Sequence, residues 1–289
     1  MIDLGAGKWI RAVQKAQRRW TLSQAMSQSC SDWLGASRPT SNARASNAKA
    51  RSTAARTLTR ELLTHLDGLS SQQVYHLTII TDQARTWDRD TTIDLNFTKR
   101  VRDLLREAGL RNWIGVVEFQ FETNARRGWG RQIAPHMHVL FWSEEELDMA
   151  KLEAKLAGSA RLTSARKAPT VTLQVRKGRA EIAHAAAYTF KCMERGTNVM
   201  ISRRDPEKTV QRDTRMRGSS WIRAFELLSQ LDLKQLILSS GPSGKAMKRA
   251  IVAAIRPTGD CEGPQEVARM WREARERNGK TSYRPIRFM

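Results

Sequence analysis

The sequence predicts an α+β fold built on an antiparallel sheet of the split β-α-β kind, with a basic arm before it and a helical extension after it. Two observations carry this expectation. Four strand-like runs lie between about residues 74 and 176, the middle two consecutive, and stretches of helical periodicity separate the others. Taken in order they read β-α-β-β-α-β followed by another helix, the succession of an antiparallel sheet covered by helices on one face.

The first run, Val74-Tyr75-His76-Leu77-Thr78-Ile79-Ile80-Thr81, is β-branched and of strand length. Over residues 94–108, Phe97, Val101, Leu104, Leu105 and Ala108 recur at helical spacing, and Gly109 supplies the stop. Residues 113–122 alternate, with Val117, Phe119 and Phe121 on one side and Glu118, Gln120 and Glu122 on the other. A Gly- and Arg-rich connection over 124–131 leads to a strand at 133–142, so these two strands form a hairpin. Ser143 with Glu146 makes a capping box for a helix running to about residue 157. Val171, Leu173 and Val175 mark a fourth strand over 170–176, and 180–194 reads as a helix. In this arrangement the sheet face opposite the helices stays open.

Outside this region, residues 7–35 can hold a basic helix anchored by Trp9, Trp20 and Trp33. Residues 38–56 are almost entirely Ser, Ala, Asn, Thr, Lys and Arg, a composition too poor in apolar surface to offset its ordering entropy, and read as a flexible basic linker. The organisation expected is an arm over 1–60, a core domain over 70–220 and a helical extension over 221–289. Helical patterns in the extension fall at 220–238 and 266–277, separated by the Gly/Pro-containing stretch 239–245.

The 289 residues carry 50 Lys+Arg against 29 Asp+Glu, a net charge of +21. Such an excess calls for a polyanionic partner, because each neutralised phosphate releases condensed counterions. Nucleic acid is favoured over a membrane surface, since no long basic amphipathic helix with a bulky apolar face is present. The three cysteines, Cys30, Cys192 and Cys261, are far apart and form neither a disulfide framework nor a zinc cluster. With no membrane span and no secretory signal, the expected location is the cytoplasm, although the Ser/Ala-rich basic start superficially suits a transit peptide.

The chemistry concentrates at Pro135-His136-Met137-His138-Val139-Leu140-Phe141-Trp142. Residues i and i+2 of a strand share a face, so His136 and His138 project together while Met137, Val139 and Phe141 enter the core. Two unrelated histidines on a half-buried strand are the bland alternative. With a carboxylate from the neighbouring hairpin strand they make a three-ligand metal site with open positions. Glu118, Gln120 and Glu122 all lie on the correct face, and Glu118 is favoured. Of three tyrosines, Tyr188 lies in Ala187-Tyr188-Thr189-Phe190-Lys191, where a spacing of three puts Tyr188 and Lys191 on one helix face. There Tyr188 is a candidate nucleophile and Lys191 its charge partner. His184, four residues before Tyr188, shares that face and is a further candidate for contact with DNA or the tyrosine, although a surface polar residue is the plainer reading.

These motifs resemble the HUH endonuclease superfamily, specifically its rolling-circle replication initiator branch. Three match in the family's order: His76-Leu77-Thr78-Ile79-Ile80-Thr81, His136-Met137-His138 and Tyr188-Thr189-Phe190-Lys191. The resemblance covers about residues 70–220 and implies a ferredoxin-like sheet with the histidines on a central strand. Val117-Glu118-Phe119-Gln120 looks like the strand that brings the third ligand. The hairpin connection between Glu122 and Pro135 is long for the family, and the helix carries a single tyrosine.

The resemblance implies site-specific nicking and joining of single-stranded DNA at a plasmid or phage replication origin. Mg²⁺ or Mn²⁺ would be held by His136, His138 and Glu118. Attack by Tyr188 would leave a 5′-phosphotyrosine and a 3′-hydroxyl that primes a host polymerase. A host helicase would unwind, since no Gly-x-x-x-x-Gly-Lys-Ser/Thr loop occurs. Tyr75, the basic arm and Arg203, Arg204, Arg212, Arg215 and Arg217 are candidate DNA contacts. A single-tyrosine transposase shares the motif order, whereas conjugative relaxases place the tyrosine ahead of the histidines. A plain RNA-binding module shares the β-α-β-β-α-β order but would need sheet-face aromatics.

Overall fold

A computed structural model describes residues 43–68, 73–81, 85–87, 93, 95–124, 130–143, 147–159, 162, 170–191, 196–201, 209–214, 224, 227–228 and 231–256. Along the chain these form α1 (Ala48–Asp67), β1 (Gln73–Ile80), β2 (Thr86–Trp87), α2 (Phe97–Glu107), β3 (Trp113–Asn124), β4 (Gly130–Phe141), α3 (Met149–Ala157), β5 (Val171–Lys177) and α4 (Gly178–Tyr188). There follow β6 (Gly196–Ile201), β7 (Thr209–Thr214), α5 (Leu233–Leu236), β8 (Ile237–Ser240) and α6 (Gly241–Ala254). The fold is mixed α and β, in agreement with the expected α+β class.

One mixed sheet of eight strands runs β5-β1-β4-β3-β6-β7, with β2 beside β4 and β8 beside β3. The segment β5-β1-β4-β3 is antiparallel throughout, and β6 joins β3 in parallel. The β-α-β-β-α-β succession therefore places β4 and β1 at the centre of its four strands. The β3–β4 hairpin pairs from Trp113↔Phe141 to Asn124↔Gly130, so the connection is only residues 125–129. Backbone pairing needs no apolar side chain, which is why both strands outrun the alternating pattern and the connection is shorter than expected.

Period two fixes what enters the core. Tyr75↔Phe141, Leu77↔Val139 and Ile79↔Met137 are cross-strand neighbours, all buried. Tyr75 stacks on Phe141 with ring centroids 4.9 Å apart, on the face opposite His76 and His138. Its ring is core, and the expectation that Tyr75 contacts DNA is corrected.

Four further expectations change. Residues 48–56 form the start of α1 rather than a flexible linker, and Ala50, Ala54, Ala55, Leu58, Leu62 and Leu66 are buried along it. Mean composition hid a helical stripe of small apolar side chains that packs closely on α4 and α6. The residues just before the helix are also tied to a distant part of the chain, since Arg44 pairs with Asp232 at 2.9 Å, and the core does not begin at residue 70. Second, the chain after residue 220 contributes strand β8 to the sheet, paired with β3 from Trp113↔Ser240 to Val116↔Ile237. Gly241 and Pro242 start helix α6 instead of separating two helices: Gly241 takes φ 72°, where a Cβ would collide with Asn112, and Pro sits in the first turn, which has no need of its N–H. Third, α3 starts at Met149 with Asp148 as its cap, the side chain accepting from the Lys151 N–H at 2.9 Å. Ser143 does not cap it. Fourth, the histidine face is not open, because α4 folds back over it.

The proposed helices at 7–35 and 266–277 lie outside the described residues. No described helix is long and apolar enough to cross a membrane.

Candidate metal centre and its tyrosine

Strand β4 lies between β1 and β3, so its two histidines meet side chains from both neighbours. The register sets Glu118 directly opposite His136 and Thr78 opposite His138. The Glu118 carboxylate reaches both rings: Oε2 is 2.7 Å from His138 Nε2 and 3.3 Å from His136 Nε2. The three ligand atoms lie within 4.8 Å of one another, and all three residues are buried. This Glu118-His136-His138 cluster can hold a metal ion. Two imidazoles and one carboxylate leave open positions for substrate or water oxygens.

The other two candidates for the third ligand are engaged elsewhere. Glu122 forms an ion pair with Arg85, and Gln120 donates its amide to the Thr197 hydroxyl. Glu118 is the acid that joins the histidines. Burial works against its charge, but His136 and His138 outweigh it and hold the carboxyl well below the usual range.

Behind His138 stands a second layer absent from the sequence-derived site. With His138 Nε2 turned to the cluster, its Nδ1 faces Thr78 Oγ1 at 3.0 Å and His76 Nε2 at 3.2 Å. Burial first, then the charges of His138, Arg176 and Lys191, push the His76 imidazole down to about 3 against the opposing pull of Glu118. His76 is therefore neutral near pH 7, and when His138 Nε2 gives up its proton to serve as a ligand, His76 Nε2 can accept from the N–H that moves to His138 Nδ1. Such a bond fixes the tautomer that leaves Nε2 free as a ligand. The signal in the sequence was parity: His76 and Thr78 lie on the non-core side of β1.

Tyr188 closes the site from above. As the last residue of α4 it sets its ring 5.3 Å from that of His138 and 6.2 Å from that of His76, centroid to centroid. The helix was expected to continue to residue 194. It ends at Tyr188, where Thr189 turns its hydroxyl back to the Ala186 carbonyl at 2.8 Å and Phe190 is fully buried. The Lys191 N–H then bonds the Tyr188 carbonyl at 3.0 Å, so Tyr-x-x-Lys is a turn that folds the lysine under the ring. Lys191 Nζ lies 4.0 Å from the ring centroid, donates to the Tyr188 hydroxyl, and reaches Glu118 Oε1 at 3.1 Å. Burial opposes the ammonium charge, yet Glu118 and Tyr188 together raise its pKa above the ordinary lysine value. Lys191 is thus charged at neutral pH. Arg51 of α1 steadies the turn, donating to the Lys191 carbonyl at 3.3 Å and to the Ala45 carbonyl at 2.5 Å.

His184 is exposed one helical turn before Tyr188, with ring centroids 6.2 Å apart and planes within 24°. Arg212 is exposed on β7, while Arg203, Arg204, Arg215 and Arg217 lie outside the described residues. The structure thus gathers Glu118, His136, His138, Tyr188 and Lys191, adds His76, Thr78 and Arg51 around them, and sends Tyr75 to the core. No family model matches this chain, and no curated protein or solved structure matches it.

Proposed function

We propose that the protein is a metal-dependent endonuclease and strand transferase of the HUH kind, which nicks and joins single-stranded DNA and initiates rolling-circle replication of a plasmid or phage. The observation that carries this reading is the meeting of a two-histidine, one-carboxylate cluster with a tyrosine hydroxyl and a charged lysine. The antiparallel order β5-β1-β4-β3, with both histidines on an inner strand, supports the ferredoxin-like core that the reading requires.

In this reading Glu118, His136 and His138 hold Mg²⁺ or Mn²⁺, of which the imidazole donors favour Mn²⁺. When bound there, such an ion would supply Lewis-acid polarisation of the scissile phosphate and offset its developing charge. Tyr188 Oη attacks phosphorus, the P–O3′ bond breaks, and the DNA is left with a 5′-phosphotyrosine and a free 3′-hydroxyl. The step is proton-neutral, since the phenol loses one proton and the 3′ oxygen gains one. Lys191 holds the phenol oxygen and balances phosphate charge, and His76 with Thr78 orients His138.

The test is incubation of purified protein with circular single-stranded DNA and Mn²⁺, followed by denaturing electrophoresis of protein and DNA. A covalent adduct that requires metal and disappears in Tyr188→Phe and His136→Ala is expected. Cleavage without an adduct would replace Tyr188 by water as the nucleophile, and binding without cleavage of native replicon DNA would overturn the enzymatic reading.

A further inference from the structure

A second cationic feature stands outside the metal centre. Helix α6 buries Gly244, Met247 and Ile251 and turns a row of cations to the other side. Lys245, Lys248, Arg249 and Arg256 line a groove of about 710 Å³ together with Val252 and Ala253, and among the described residues no acid lines it. None of the four forms an ion pair among the described residues. Lys248 is half-buried, and its pKa is lowered by burial and then by the charge of Arg102 on α2. Asp103, next to Arg102, pairs with Arg106 at 2.7 Å instead. Like charges thus face one another across partly desolvated ground, an arrangement that an anion would relieve.

The dimensions and lining narrow the anion. From Lys245 to the end of α6 at Ala254 is nine residues of helical rise, about 14 Å, which covers about four phosphate steps at roughly 3.4 Å of axis per phosphate on one strand, with Arg256 just beyond. That length suits a polymer and exceeds a single nucleotide's phosphates. Among the described residues the groove has no aromatic side chain on which an unpaired base could stack. The apolar part that the described residues supply is Val252, Ala253 and Pro242, too small to insert into a bilayer. A duplex, with bases stacked inside and phosphates outward, matches these features.

We infer that the α6 groove is a second DNA-binding site, one that grips the backbone of duplex DNA through Lys245, Lys248, Arg249 and Arg256. It needs neither metal nor Tyr188, so it stands or falls apart from the nicking reading. Each cation supplies one phosphate contact and releases one counterion, and none reads sequence.

The test uses the full chain in EDTA with a fluorescent 30-base-pair duplex of arbitrary sequence, its affinity followed by anisotropy over a salt series. Replacing Lys245, Lys248, Arg249 and Arg256 together by Gln is expected to weaken binding at least tenfold and to flatten the slope of log K against log salt by about 3 to 4. The exposed-only variant Lys245→Gln/Arg249→Gln should flatten it by about 2, which covers the case in which the fourfold variant does not fold. Tyr188→Phe should bind duplex as the wild type does. A control that removes the same charge elsewhere, Arg60→Gln/Lys99→Gln/Arg106→Gln/Arg179→Gln, should lose less than half as much slope. An unchanged slope in the groove variants, an equal loss in the control, or a loss seen only with single-stranded DNA or anionic vesicles overturns the inference.

Discussion

Replacing Glu118 by Gln changes one charge at the centre of the site and almost nothing in volume. The carboxylate has 4% of its side chain exposed and accepts from Lys191 at 3.1 Å while facing His138 at 2.7 Å. Hydrogen bonds to charged groups contribute about 1.5–3 kcal/mol each and neutral ones about 1, so making this acceptor neutral costs about 1–4 kcal/mol without metal. With metal the effect changes in kind. Mn²⁺ at a hundred times its dissociation constant stabilises the native state by about 2.7 kcal/mol. Losing the anionic ligand should remove most of that gain at the same concentration. Urea unfolding in EDTA and in a Mn²⁺ series, with calorimetric titration of the folded protein, reads both quantities. Gln120→Ala and Glu122→Gln should retain the full gain from Mn²⁺, since those side chains turn to Thr197 and Arg85. If Glu118→Gln gains as much from Mn²⁺ as the wild type, Glu118 is not a ligand and the cluster is a buried hydrogen-bonded network.

Two further outcomes follow from the layers around the centre. His76→Phe should weaken Mn²⁺ binding about 10–100-fold, the usual effect of losing an outer-shell partner, and titration calorimetry showing unchanged affinity would exclude that role. The same variant should alter acid sensitivity: His76 titrates at about 3 when folded against 6.5 in the unfolded chain, so the unfolded state takes up the proton first and stability falls as pH drops from 6.5 toward 3. That linkage amounts to at most about 5 kcal/mol, and unfolding in EDTA should show a flatter acid limb in His76→Phe. For α1, Leu62→Ala should cost about 2–5 kcal/mol in urea unfolding; a cost below about 1 kcal/mol would return the helix to the status of an appended arm.

Local pattern made much of this protein legible. Phe97, Val101, Leu104 and Leu105 recur at 3.6 and are buried along α2, and the alternation through β3 and β4 gives each side chain its face, because both periods are properties of one segment. The pairing of His136 with His138 needs nothing more. Elements failed where a local signal had a second meaning: the Ala-rich start of α1 looked like solvated linker, and Gly241-Pro242 looked like a stop where it is a start.

By itself, then, the sequence determined the β-α-β-β-α-β succession, the shared face of the two histidines and the one-turn spacing of Tyr188 and Lys191. Tertiary structure decided which acid meets them. Glu118, Gln120 and Glu122 have the same parity, and only the register Glu118↔His136 separates them; a slip of two residues would present Gln120 or Val116 instead. It also brought His76 behind His138, laid Tyr188 over a face expected to be open, and carried α1 and β8 from the two ends of the described chain into one core. Each of these joins residues distant in sequence, and periodicity within a segment carries no information about where that segment's neighbours come to rest.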